Sequence, residues 1–109
     1  MAQSQSLEDV VFNLATDATT GAQFGNDDEQ NLDTLEELAR KQLDTEVERL
    51  ENLIDLMKER GGFPDGSTKA AQDRLSEVKD RRDALSKFIK DNRNDVLVWI
   101  YIGRNTSTA

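Results

Sequence analysis

The chain has no cysteine and no histidine, and its one proline is Pro64. Without cysteine there is no disulfide framework and no thiolate chemistry. Without histidine there is no imidazole base, and the two absences together exclude a zinc finger. The longest apolar run is Val96 to Ile102. A membrane-spanning helix needs about 20 such residues, so no span is expected. Met1 to Ser6 lack the basic and apolar regions of a secretory signal. The chain is therefore expected to be soluble when made, in the cytoplasm or as part of an assembled particle. Basic residues are outnumbered 22 to 14, for a net charge of -8. Phosphate backbones are bound by Lys and Arg, so this balance argues against direct contact with nucleic acid, and anionic membrane surfaces are disfavoured on the same ground.

What the sequence does have is helical period. Ser6-Leu7-Glu8-Asp9 resembles a capping box, and Leu7, Val10, Val11 and Leu14 recur at helical spacing, which predicts a short amphipathic helix over 7–15. Residues 16–26 turn to Thr, Gly, Asp and Asn around a lone Phe24, the composition of a linker. A long helix is then predicted from Asp28 to Arg60, opening on Asp27-Asp28-Glu29, where acid suits the positive end of the helix dipole, and closing at Gly61-Gly62. On it, Leu43, Val47, Leu50, Ile54 and Met57 alternate steps of four and three, the seam of a coiled coil. Leu32, Leu35 and Ala39 follow a looser rhythm, so the seam drifts toward the start.

Beyond the Pro64-Asp65-Gly66 turn, Ser67 or Thr68 caps a second helix to about Asn94, with Ala71, Leu75, Val78, Leu85 and Ile89 continuing the seam. Folding back at the turn brings Arg82 near Val47 and Glu46. Its stem is expected to lie along the seam while its charge reaches an acidic neighbour. Charge supports the pairing: residues 27–59 hold 12 acids and 4 bases, whereas residues 69–93 hold 5 acids and 8 bases. An acidic helix beside a basic one favours the intramolecular antiparallel pair. The fold class read from these patterns is mainly α: an antiparallel, coiled-coil-like helical hairpin over 27–95, preceded by the 1–26 helix and linker and followed by an apolar segment and flexible tail over 96–109.

Two surfaces are left over. Outside the seam, Leu32, Leu35, Leu53, Leu56 and Phe88 share the flank of the hairpin with Ala39, Ala70 and Ala84. That face is too large to leave wet, so either the N-terminal helix or another subunit covers it. The second is Val96-Leu97-Val98-Trp99-Ile100-Tyr101-Ile102, rich in β-branched and aromatic types and bounded by Asn94-Asp95 and Gly103. With no second strand in the chain, it either pairs as a strand with another molecule or extends the second helix. The composition favours the paired strand. In both cases Val98, Trp99 and Tyr101 are interface anchors, aromatic residues being enriched at binding hot spots.

Reaction chemistry has no foothold in this pattern. The carboxylates lie on solvated helix faces, and no concave, partly dry site is implied for a general acid or base. Asp91-Asn92-Arg93-Asn94-Asp95 begins like a calcium loop but places Arg at the third position and Val96 where glycine is needed. No catalytic residue, metal ligand or cofactor is therefore expected. The leading expectation is a non-enzymatic structural protein that forms a homo-oligomer or docks on a larger protein complex, as accessory subunits of phage particles or secretion machines do. An alternative is an acidic inhibitor that mimics nucleic acid through Glu36, Glu37, Asp44, Glu48, Glu51 and Asp55.

One resemblance adds to this. Gln72-Asp73-Arg74-Leu75-Ser76-Glu77, followed by Arg81 or Arg82, Ala84 and Ser86, is similar to the second helix of type III secretion needle subunits. Those proteins are also helical hairpins with a Pro/Asp turn, so the resemblance implies an assembling hairpin. It covers about 25 residues. Needle subunits are usually shorter, carry a second proline in the turn and lack a terminal run like Val96 to Ile102.

Overall fold

The computed structural model describes residues 6–108, so the reading of Met1 to Gln5 lies outside the described residues, as does Ala109. The regular elements of the described residues are all helices: α1 (Leu7–Ala15), α2 (Ala18–Gly21), α3 (Asp28–Arg60), α4 (Ser67–Asp91) and α5 (Arg93–Thr108). The first three helices start on side chains that take up their free amides. Ser6 Oγ accepts from the Asp9 N–H at 3.1 Å, Asp17 Oδ1 from Thr19 N–H at 2.7 Å, and Asp27 Oδ1 from Glu29 and Gln30 N–H at 3.0 and 3.2 Å. The hairpin turn is made by Gly61, Gly62 and Gly66 at φ of 68°, 78° and 89°, the left-handed region that glycine enters without steric cost. The mainly α hairpin expected from the heptads is thus the observed architecture.

The chain forms two compact units. The central unit, Arg40–Ala84, is the hairpin on either side of the turn. Leu43, Val47, Leu50, Ile54 and Met57 of α3 and Val78 of α4 are buried in it, while Ala71 and Leu75 are half-buried. Each fully buried large aliphatic side chain contributes roughly 1.5–3 kcal/mol, which makes this seam the main source of the unit's stability. Charged pairs flank it. Arg74 reaches Glu46 at 3.0 Å and Glu77 at 3.3 Å. Arg82 donates to Asp44 at 3.0 Å. It does find an acidic neighbour, but Asp44 rather than Glu46, which Arg74 occupies.

The terminal unit gathers the residues up to Ala39 with those from Leu85 onward. Its buried apolar side chains are Val11, Ala15, Phe24, Leu32, Leu35, Ala39, Leu85, Ile89, Val96 and Ile100. Within it α5 packs on α1 and α2, and α1 on α2. The chain entering α3 is held by Asn31, which is buried. Its side-chain amide accepts from Gly25 N–H at 2.8 Å and donates to Gly25 C=O at 3.0 Å. Both hydrogen-bonding groups of one backbone residue are satisfied by one side chain, so burying the amide carries little desolvation penalty.

Four sequence expectations are corrected. The segment 16–26 is not an irregular linker: Asp17 caps α2, and Thr20, Gly21 and Phe24 are buried. The paired strand expected over Val96 to Ile102 is helical, and it belongs to α5. A strand would have left its amides and carbonyls to another molecule, whereas a helix satisfies them internally, and that requirement outweighs the β-branched composition. The flexible tail from Arg104 is likewise the last turns of α5, which runs to Thr108. Helix two ends at Asp91 rather than near Asn94. Asn92 interrupts it for one residue, its N–H and its Nδ2 both donating to Phe88 C=O at 3.0 and 2.9 Å.

Candidate interaction surface

The strongest surface feature of the terminal unit follows from how α5 is docked. Two glycines set that docking. A Cβ on Gly103 would overlap the carbonyl oxygen of Ala15 at the end of α1, and one on Gly21 would overlap the carbonyl oxygen of Gly103 itself. Helix backbones approach this closely only where side chains are absent. With Gly103 turned inward, the 100° step per residue brings Val96 and Ile100 to the same side, and both are buried. The same rotation turns Val98, Tyr101 and Ile102 outward, where they are 57 %, 65 % and 44 % exposed.

Trp99 lies at the flank of this face and is half-buried. Its ring meets that of Phe12 of α1 edge to face, with centroids 5.4 Å apart at an interplanar angle of 87°. Such a pair adds about 0.5–1.5 kcal/mol beyond area burial, so Phe12 and Trp99 hold one another while Phe12 stays 42 % exposed. The result is a small apolar surface from Val98 to Ile102, extended across Trp99 onto α1. No charged residue lies between Val96 and Gly103. The two arginines of α5 are on the other flank and are engaged, Arg93 with Glu29 and Arg104 with Asn26.

The sequence-derived interface residues divide between several places. Val98, Trp99 and Tyr101 are brought together on α5. Leu32 and Leu35 are buried in the terminal unit, with nothing left to offer a partner. Phe88 is half-buried there. Leu53 and Leu56 lie in the central unit, 38 % and 40 % exposed. On α3, Leu53 flanks the buried seam one turn from Leu50 and Met57, whereas Leu56 faces away from it. The residues assigned to the shared flank thus fall in both units and differ in exposure. Sequence reading missed Phe12 and Ile102 as surface residues and Gly21 and Gly103 as contacts. For Phe12 a signal was present, since it falls off the Leu7, Val10, Val11, Leu14 stripe.

The acids proposed for nucleic-acid mimicry are partly engaged: Glu36 accepts from Ser86 Oγ, and Asp44 from Arg82. Among the described residues, no group of three or more Asp or Glu is arranged to hold a metal ion, and no helix is long and apolar enough to cross a membrane. Two exposed lysines of α4 have raised pKa values. Hydrogen bonds and charge from Asp73 raise the pKa of Lys69, and Asp91 does the same for Lys87. Both are surface pairs with no reacting geometry. No protein-family model, curated protein or solved structure matches the chain.

Proposed function

We propose that this protein is a non-enzymatic assembly protein that works by presenting the outward face of α5 to another protein surface. One observation carries the reading: in a chain where a third of the residues are charged, Val98, Tyr101 and Ile102 stand exposed side by side, with Trp99 and Phe12 beside them. Exposed apolar side chains scattered singly need no explanation, but a cluster on a rigid helix backed by close backbone packing has the make-up of an interface core. The rigidity matters because a preorganised face loses little entropy on binding.

The test is photo-crosslinking in the cells that make the protein. A benzophenone side chain at Tyr101 is expected to give a discrete adduct, and the same group at Glu48 in the central unit is expected to give none. A Tyr101 adduct no more abundant than the Glu48 background would remove the face, and with it the assembly reading.

A further inference from the structure

The charge around the α5 face is one-sided, and we infer from it that the occupant is a basic amphipathic helix of a different protein, not a second copy of this chain. This inference rests on the assembly reading above and specifies its partner. No Lys or Arg precedes Arg40, while nine Asp and Glu residues do. The terminal unit as a whole holds eleven acids against Lys87, Lys90, Arg93 and Arg104, a net charge of -7. The acids nearest the face are placed by helix geometry. Glu8 stands one turn before Phe12 on α1, and Asp95 one turn before Trp99 on α5. Both are exposed, as is the neighbouring Asp9. Of the bases on α5, Arg93 and Arg104 are turned to the opposite flank and bound there.

An apolar centre with an acidic rim complements a helix that carries an apolar stripe between rows of Lys or Arg. It does not complement itself. A symmetric dimer uses the same patch on both subunits, so pairing through this face would set Glu8, Asp9 and Asp95 of one copy against the same acids of the other. It would also bring two units of net charge -7 together. Like charges juxtaposed across an interface oppose association. Val98 to Ile102 span little more than one turn of α5, and Phe12 of α1 widens the face beyond Trp99, so that together they can engage residues on two successive turns of one facing helix.

The experiment uses the full chain and synthetic helical peptides of about 18 residues, a length of five turns. One carries Leu at i, i+3, i+4 and i+7 with Lys flanks, a second replaces every Lys with Glu, and a third keeps Lys but replaces every Leu with Ser. Trp99, the one tryptophan in the chain, reports binding by fluorescence. The Lys/Leu peptide is expected to shift its emission to the blue, with affinity falling as salt rises, while the other two leave it unchanged. The double variant Val98→Ser with Tyr101→Ser removes side chains that are more than half exposed, and should weaken binding at least about tenfold, the scale of a lost hot spot. A separate variant, Glu8→Gln with Asp9→Asn and Asp95→Asn, leaves the apolar face whole. It should weaken binding about fivefold and flatten the salt dependence.

Equal binding of the Glu/Leu peptide would overturn the charge argument. Equal binding of the Lys/Ser peptide, or unchanged affinity in the Val98/Tyr101 variant, would overturn the assignment to this face. A chain that sediments as a dimer through Tyr101 would overturn the basic partner while leaving the assembly reading in place. If no peptide binds and Tyr101 gives no crosslink, both fall together.

Discussion

The central and terminal units achieve compactness by different means. The central unit is two long helices held by a repeating seam, Leu43, Val47, Leu50, Ile54 and Met57 against α4. Its charges nearly cancel, eleven acids against ten bases between Arg40 and Ala84. The terminal unit uses short helices that meet backbone to backbone at Gly21 and Gly103, a buried asparagine that clasps a loop, and an excess of negative charge. A repeating seam spreads stability over many similar contacts and leaves the outer surface ordinary. A glycine crossing concentrates stability at a point and can hold a helix in an orientation that keeps apolar residues outside. The candidate interface lies in the unit built the second way.

The comparison is tested most severely at the seam. Leu50 is buried at 4 % exposure and Leu53 of the same helix is 38 % exposed. Leu50→Asp removes a buried aliphatic side chain and puts a carboxylate in its place, and should cost about 4 kcal/mol or more. Leu53→Asp, at a partly covered position beside the seam, should cost clearly less, about 1 kcal/mol. Thermal melts followed by circular dichroism measure both. Equal losses would mean that the outer side of α3 is covered and that the seam is not what holds the unit.

Next in size is the glycine crossing. Gly103→Ala forces a methyl group onto the Ala15 carbonyl, and Gly21→Ala forces one onto Gly103; the obstructing atoms are backbone and cannot rotate away. Overpacking of this kind costs about 1–3 kcal/mol. The cost should fall on the terminal unit, so hydrogen exchange should quicken in α1 and α5 while amides between Arg40 and Ala84 keep their protection. A uniform loss across both units would show that they unfold as one and that the division has no energetic meaning.

These two experiments also mark where the sequence was informative. The seam is legible because a period of three and four repeats over several turns, and Gly61-Gly62 closes it with a signal that depends only on neighbouring residues. The boundaries Leu7–Ala15 and Asp28–Arg60 were readable for the same reason. Gly21 and Gly103 carry no such signal: each looks like a loop or terminus residue until α2 and α5 are placed together, across about 80 residues of chain. The same distance hid the interface. Val98, Trp99 and Tyr101 were singled out by type alone, and the strand reading followed from their β-branched neighbours. Only the docking of α5 decides that Val96 and Ile100 face inward and Ile102 outward. Leu32 and Leu35 are buried within the terminal unit, one of the two coverings that the sequence left open for their face, and periodicity alone does not say which covering applies.

Smaller again is the effect of Asn31. Asn31→Ala would leave both hydrogen-bonding groups of Gly25 without their partner. Gly25 itself is exposed, so water recovers part of the loss, and about 1–2 kcal/mol is expected. The change should appear in the terminal unit, as faster exchange over α2 and the start of α3. Unaltered exchange there would show that the clasp is decorative.

The smallest expected effect compares the two units under alkali. Each holds one exposed lysine paired one turn along α4, Lys69 with Asp73 at 2.8 Å in the central unit and Lys87 with Asp91 at 2.6 Å in the terminal unit. In both, the carboxylate's hydrogen bond and charge raise the lysine pKa above its ordinary value of 10.5. A pKa that is higher in the folded state means that the folded protein holds the proton more tightly. The contribution is therefore complete below the unfolded value and disappears as pH climbs through the raised folded one. Full solvent exposure and the unfavourable order, base before acid along the helix, keep it small. Nitrogen-detected NMR of the two ammonium groups should place both transitions above that of an unfolded lysine and by similar amounts, with Asp73→Asn and Asp91→Asn each abolishing only its own shift. If Lys87 shifted clearly more than Lys69, the excess acid of the terminal unit would be acting at long range on its own surface. The negative field that the basic-partner inference uses would then be measurable directly in the free protein.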